Sequence, residues 1–107
     1  MKIYRQGDVL IREVESTPKN TETVARDKGR IVLAYGEVTG HAHAILDKAA
    51  ELVRTADTNQ RFLQVMAEGG VALQHEEHAT ITLPKGNYEI VQQREYVAPE
   101  IVRNVAD

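Results

Sequence analysis

Short β-prone runs that end at turn residues are the feature of this sequence that most limits its fold. The clearest turn signals are Gly7-Asp8, Glu68-Gly69-Gly70 and Pro84-Lys85-Gly86-Asn87. The sequence has neither strands alternating with helices nor a heptad repeat. Short strands at this spacing are typical of barrels and sandwiches. We therefore predict a single all-β domain over residues 1–107, a small barrel or a two-sheet sandwich of roughly seven to nine strands.

The composition is that of a soluble globular domain with one modest core. Hydrophobic residues make up 42% of the 107 residues and charged residues 27%, both ordinary proportions. The formal net charge of -3 weighs against binding to nucleic acid or to an anionic membrane. No apolar run approaches the roughly 20 residues that span a bilayer, and the N-terminus lacks a signal-peptide pattern. We expect a cytoplasmic protein.

A polar stretch interrupts the β-prone pattern between residues 15 and 30. Ser, Thr, Pro, Lys, Asn and Glu dominate it, and Val24 is its one large apolar residue. This composition predicts an exposed loop at about 15–30. Loops of this length in a small domain are often functional, so residues 16–29 are a candidate for binding a protein partner or for contacts within a homo-oligomer.

All four histidines fall into two short clusters, His41-Ala42-His43 and His75-Glu76-Glu77-His78. Successive side chains alternate faces along a strand, so His41 and His43 are expected to point the same way. We predict strands over Val71–His75 and Ala79–Leu83. On a continuous strand, His75 and His78 would face opposite sides. A hairpin loop or a bulge at Glu76-Glu77 would bring them together; otherwise only one of the two joins a shared site.

The chemistry of these clusters favours a metal site. Because the chain has no Cys, any transition-metal site must use His and carboxylate ligands. We predict a divalent ion such as Zn, Fe, Ni or Mn, bound by His41, His43 and His75 or His78, with Asp47 or Glu77 as a further ligand. Such a site could activate water or bind a small oxyanion, but the sequence points to no reaction. The alternative interpretation is that the histidines are polar strand residues that only stabilise the fold.

The last predicted strand carries a polar face beside the metal-site candidates. Gln92, Arg94 and Tyr96 share this face by strand alternation. If the strand borders the site, these side chains would contact a ligand or orient the histidines. The alternative is a solvated face or the lumen of a barrel.

Two partial resemblances to known families start from these motifs. Gly36, the His41-x-His43 pair and Asp47 resemble the first metal motif of the cupins, which implies a cupin-like barrel in which His41, His43 and Asp47 are ligands. The acid is Asp where cupins have Glu, and Pro84-Lys85-Gly86 follows the second histidine cluster where the cupin motif has Pro-x-Gly before its histidine.

The N-terminal third is similar to the small co-chaperonin. The run Gly7-Asp8-Val9-Leu10-Ile11 resembles its first strand, and Gly29-Arg30-Ile31-Val32-Leu33 resembles the end of its mobile loop. This resemblance implies a co-chaperonin-like barrel that captures a partner. The strings over residues 36–43 and 75–81 resemble those of uncharacterised bacterial proteins, a likeness that implies no function.

Overall fold

The computed structural model of the chain describes residues 2–36 and 40–93. The strands in these ranges are β1 (Ile3–Gln6), β2 (Val9–Val14), β3 (Thr21–Thr23), β4 (Ile31–Tyr35), β5 (Ala42–Ile45), β6 (Ala50–Thr55), β7 (Arg61–Val65), β8 (Val71–Leu73), β9 (Ile81–Leu83) and β10 (Gly86–Gln92). The described part contains no helix, so the all-β prediction is confirmed. Its ten strands exceed the predicted number, and one of them, β3, lies within the loop predicted at about 15–30. Within the same ranges, no helix is long and apolar enough to cross a membrane.

The strands form one large sheet and two small ones. The large antiparallel sheet has the order β1-β2-β10-β7-β6-β3, and β4-β5 and β8-β9 are two-stranded sheets. In the described part of the chain the outer strands β1 and β3 do not pair with each other. The sheets are therefore sandwich-like, and of the two predicted architectures the closed barrel is not formed.

An aliphatic core lies between the sheets. In β2, Val9 and Ile11 are fully buried while Arg12 is exposed, the alternation expected of a strand with one buried face. Ile11 lies opposite Ile90 of β10, which extends the same face across the sheet. The other fully buried aliphatic residues are Leu33, Ile45, Leu63, Leu73 and Leu83.

The β4-β5 sheet, which carries the first histidine cluster, is anchored to the large sheet at a bulge. The register of the two strands shifts between Val32 and Ala34, so Leu33 has no partner opposite it. Its carbonyl oxygen instead accepts a hydrogen bond from Nη1 of Arg61 in β7 at 2.6 Å. The bulge therefore leaves no unpaired carbonyl at Leu33, and this bond attaches β4, and through its pairing β5, to the large sheet.

The polar stretch at 15–30 is more ordered than a simple loop. None of its residues is buried, but it includes β3, which pairs antiparallel with β6. Further along, Asp27 and Arg30 close a tight turn with backbone hydrogen bonds of 2.8 and 3.0 Å. Threonine favours strands, so the Thr21-Glu22-Thr23 run is consistent with its place at the sheet edge.

Tyr88 provides a test of this core. Its side chain is 2% exposed, its hydroxyl donates to the carbonyl oxygen of Pro84 at 2.6 Å, and burial raises its pKa to about 12. We expect Tyr88→Phe to lower the free energy of unfolding at pH 7 by about 1 kcal/mol, because one buried hydrogen bond is lost. Urea denaturation measures this difference.

The same residue predicts how stability changes at alkaline pH. The phenol ionises more easily in the unfolded chain, where its pKa is about 10, than in the folded protein. The free energy of unfolding should therefore be unaffected by Tyr88 below pH 10 and fall as the pH rises towards about 12. This loss should be smaller in Tyr88→Phe, and the same alkaline loss in both proteins would contradict the assignment.

Candidate metal centre

One antiparallel bridge brings the two histidine clusters together. Ala44 of β5 and Gln74, just after β8, exchange two backbone hydrogen bonds, each 2.9 Å between nitrogen and oxygen. In an antiparallel pair the residues on either side of such a bridge also face each other. Residues 41–43 therefore lie alongside residues 75–77, an arrangement that the sequence left open.

The contacts beside the bridge follow this register. The rings of His43 and His75 have centroids 4.3 Å apart. One step further, the backbone N–H of Ala42 donates to Oε1 of Glu76 at 3.0 Å. A further step places Nδ1 of His41 3.6 Å from Oε2 of Glu77.

The second histidine cluster lies in a loop. Strands were expected over Val71–His75 and Ala79–Leu83, but β8 ends at Leu73 and β9 begins at Ile81. The hairpin or bulge at Glu76-Glu77 is therefore not formed, and residues 74–80 form a wider connection. Within this connection the rings of His75 and His78 come together, with centroids 4.6 Å apart.

Gln6 at the end of β1 closes the base of this loop. Its side chain is 2% exposed, and its Nε2 donates to the carbonyl oxygens of Leu73 and Ala79 at 3.0 and 2.9 Å. These bonds fix the orientation of the amide, so Oε1 is the atom that lies 2.8 Å from Nδ1 of His43. Because that oxygen can only accept, Nδ1 of His43 carries the proton and donates it.

His43 is consequently a neutral imidazole with its Nε2 lone pair available. Its side chain is 3% exposed, and burial lowers its pKa below the ordinary value, an effect that His75 strengthens and Asp8 opposes. Nε2 lies 3.6 Å from Oδ1 of Asp8, too far for a hydrogen bond. The Nε2 atom of His43 therefore faces a second acceptor.

The group of side chains best placed to hold a metal ion comprises His41, His75 and Glu76. One ligand atom from each lies within 4.8 Å of the other two. The N–H groups of Ala42 and of Glu76 itself lower the pKa of the Glu76 carboxyl, so this group is ionised near neutral pH. Two imidazoles and a carboxylate are a ligand set that zinc and other first-row transition metals accept.

The remaining predicted residues lie outside that group. The carboxylate of Asp47 accepts a hydrogen bond from the N–H of Ala49 at 2.8 Å, within the turn between β5 and β6. Gln92 donates from Nε2 to Oδ2 of Asp8 at 3.1 Å, and Oδ1 of the same carboxylate lies 3.6 Å from Nε2 of His43. Arg94 and Tyr96 lie outside the described residues.

Two glycines make room for the imidazole rings. A Cβ on Gly7 would lie 2.8 Å from Nε2 of His78 and 3.2 Å from Cε1 of His43, and the φ of Gly7 is +60°. A Cβ on Gly36 would lie 2.9 Å from Cβ of His41. Both contacts are closer than side chains ordinarily allow, so the site depends on these residues lacking a Cβ.

Sequence reasoning missed the roles of Gln6, Gly7 and Asp8. Gly7-Asp8 was recognised only as a turn, and nothing in the sequence relates this turn to histidines more than thirty residues away. A Gln before a turn carries no pattern of its own. These roles follow from long-range packing that only the structure provides.

The fold and the side chains define a sandwich-like all-β domain with a candidate His/carboxylate metal centre. The chain belongs to a family described as a domain of unknown function, DUF8820, whose sequence model matches residues 5–93. That range includes the whole candidate centre. No resemblance to the cupins or to the small co-chaperonin is found, and no curated protein or solved structure matches the chain.

The hydrogen bond from His43 to Gln6 predicts the tautomer of the metal-free protein. Nitrogen-15 NMR spectra of the imidazoles should show His43 protonated at Nδ1 and bare at Nε2. Because burial lowers its pKa, His43 should take up its second proton at a lower pH than an ordinary imidazole does. A proton on Nε2 of His43 at pH 7 would contradict the orientation of Gln6.

Proposed function

We propose that this domain binds a divalent transition metal ion through His41, His75 and Glu76. The observation that carries the proposal is that the ligand atoms of these three side chains lie within 4.8 Å of one another. Ligand atoms bound tetrahedrally to zinc lie roughly 3.4 Å apart, given bonds of about 2.0–2.1 Å. Small side-chain rotations would therefore bring the three atoms to bonding distance.

The surroundings of these side chains also suit a metal ion. Glu76 brings an ionised carboxylate, which offsets the charge of a divalent cation. His41 keeps 23% of its side chain exposed, so an ion can enter from solvent. With three protein ligands, a further coordination position stays open for water or a small oxyanion.

Metal binding at His75 should break one hydrogen bond of the metal-free protein. The N–H of Glu77 donates to Nδ1 of His75 at 3.0 Å. A metal on Nδ1 would displace this donor directly. A metal on Nε2 would leave the proton of the neutral ring on Nδ1, which could then no longer accept. The Glu77 amide is therefore a reporter of binding through either nitrogen.

Calorimetric titration of untagged protein with Zn²⁺ tests the proposal. We expect Glu76→Gln and His41→Ala to weaken this binding by at least the roughly 10–100-fold typical of changes around a metal site. Glu68→Gln, which alters an exposed carboxylate that pairs with Lys85, is the matched control and should leave the affinity unchanged. Unchanged affinity in Glu76→Gln would contradict this ligand set.

The Glu77 amide provides a second, structural measurement. Its proton and nitrogen resonances should shift as Zn²⁺ is added to the wild-type protein, and should stay in place in Glu76→Gln at the same metal concentration. Zinc binding that leaves the Glu77 resonance unchanged would place the ion away from His75.

An interaction module without metal is the second candidate function. The observation that favours it is the position of β3, within the 16–29 segment, at an edge of the large sheet where the described part provides no outer partner strand. Such an edge can accept a strand from another protein. In that case, partner binding would protect the 21–23 amides from hydrogen exchange, and His41→Ala would have no effect on it.

A further inference from the structure

We propose a second metal position beside the first, between Nε2 of His43 and the carboxylate of Asp8. This inference deepens the proposed function by raising the number of divalent ions from one to two per chain. It rests on different ligand atoms from those of His41, His75 and Glu76, so the two positions can be tested separately.

The first observation behind this position is that Nε2 of His43 has no hydrogen-bond partner in the part of the chain that the structure describes. The side chain is 3% exposed and Nε2 lies 3.6 Å from Oδ1 of Asp8. Since Nδ1 already donates to Gln6, Nε2 has a lone pair that points towards another acceptor. A buried acceptor normally has a donor or a cation as partner, and a cation between these two atoms would satisfy both.

The distance between Nε2 of His43 and Oδ1 of Asp8 distinguishes a shared metal ion from a direct hydrogen bond and from a bridging water. A direct charge-assisted hydrogen bond would bring them to about 2.7–2.9 Å. A bridging water would hold its two acceptors roughly 4.5 Å apart, given hydrogen bonds of about 2.8 Å. The observed 3.6 Å corresponds to two ligands of one zinc ion at an angle of about 120°, given bonds of about 2.0–2.2 Å.

Hydrogen bonds from neighbouring side chains orient both ligands, as is usual for metal ligands. Gln6, itself clamped by two backbone carbonyl oxygens, orients the ring of His43. Gln92 donates to Oδ2 of Asp8, which leaves Oδ1 facing His43. This arrangement supplies an oriented imidazole and an oriented carboxylate before any ion binds.

His78 is the candidate third ligand of this position. Its ring is stacked on that of His43, with centroids 5.8 Å apart and planes inclined by 19°. Its Nε2 lies 2.8 Å from the place that a Cβ on Gly7, the residue that precedes Asp8, would occupy. The exposed His78 ring can rotate towards an ion held by His43 and Asp8, and the missing side chain of Gly7 keeps that space open.

Metal stoichiometry in two isosteric variants tests the second position. Untagged wild-type protein, Asp8→Asn and Glu76→Gln are each titrated with Zn²⁺ by calorimetry, and bound zinc is measured after dialysis. We expect two ions in the wild type and one in each variant, with the lost ion weakened at least tenfold. Asp57→Asn, an exposed carboxylate that accepts from Asn20, is the matched control and should retain two.

Nitrogen-15 spectra of the imidazoles assign each ion without relying on mutation alone. Zinc should shift Nε2 of His43 in the wild type and in Glu76→Gln, and should leave it unshifted in Asp8→Asn. Circular dichroism shows whether each variant is folded. A wild-type spectrum in which Nε2 of His43 stays unshifted at saturating zinc would overturn the second position whatever the variants do.

The remaining outcomes distinguish the two proposals. One wild-type ion lost only in Glu76→Gln would overturn the second position and support the first. One ion lost only in Asp8→Asn would do the reverse. One ion lost in either variant would mean a single shared centre, which overturns the second position, and no bound zinc would overturn both.

Discussion

Two backbone hydrogen bonds between Ala44 and Gln74 are the constraint on which the candidate centre depends. Without them, β5 and the end of β8 would belong to separate small sheets, and nothing else in the described backbone ladders joins the two histidine clusters. Because the bridge sets an antiparallel register, it determines that His43 meets His75 and that Ala42 meets Glu76. A slip of one residue would turn one cluster to the other face.

The buried side chain of Gln6 then fixes the orientation and the tautomer of His43. Gln6 joins both ends of the 74–80 loop to His43 through three hydrogen bonds, and each of its polar atoms has a partner. Buried polar networks stabilise a unique structure only when every member is satisfied. Within the described residues, Nε2 of His43, beside Asp8, has no hydrogen-bond partner, and this atom is the basis of the second metal position that we propose.

The sequence predicted the parts of this molecule that local patterns encode. Turn residues and short β-prone runs were sufficient for the all-β class, and the clustering of His41, His43, His75 and His78 indicated where chemistry could occur. Local patterns could not specify the bridge at Ala44 or the role of Gln6, because both depend on contacts between residues distant in the chain. The predicted strand at His75 was wrong for a related reason, since Gln6 holds residues 74–80 as a loop.

The register of residues 41–44 against 74–77 brings the side chains of the candidate site together. Scalar couplings across hydrogen bonds, measured by NMR in metal-free protein, test this register directly. We predict couplings from the amide nitrogen of Ala44 to the carbonyl carbon of Gln74 and from Gln74 back to Ala44. Fast hydrogen exchange at both amides, with no ring contact between His43 and His75 in nuclear Overhauser spectra, would contradict it.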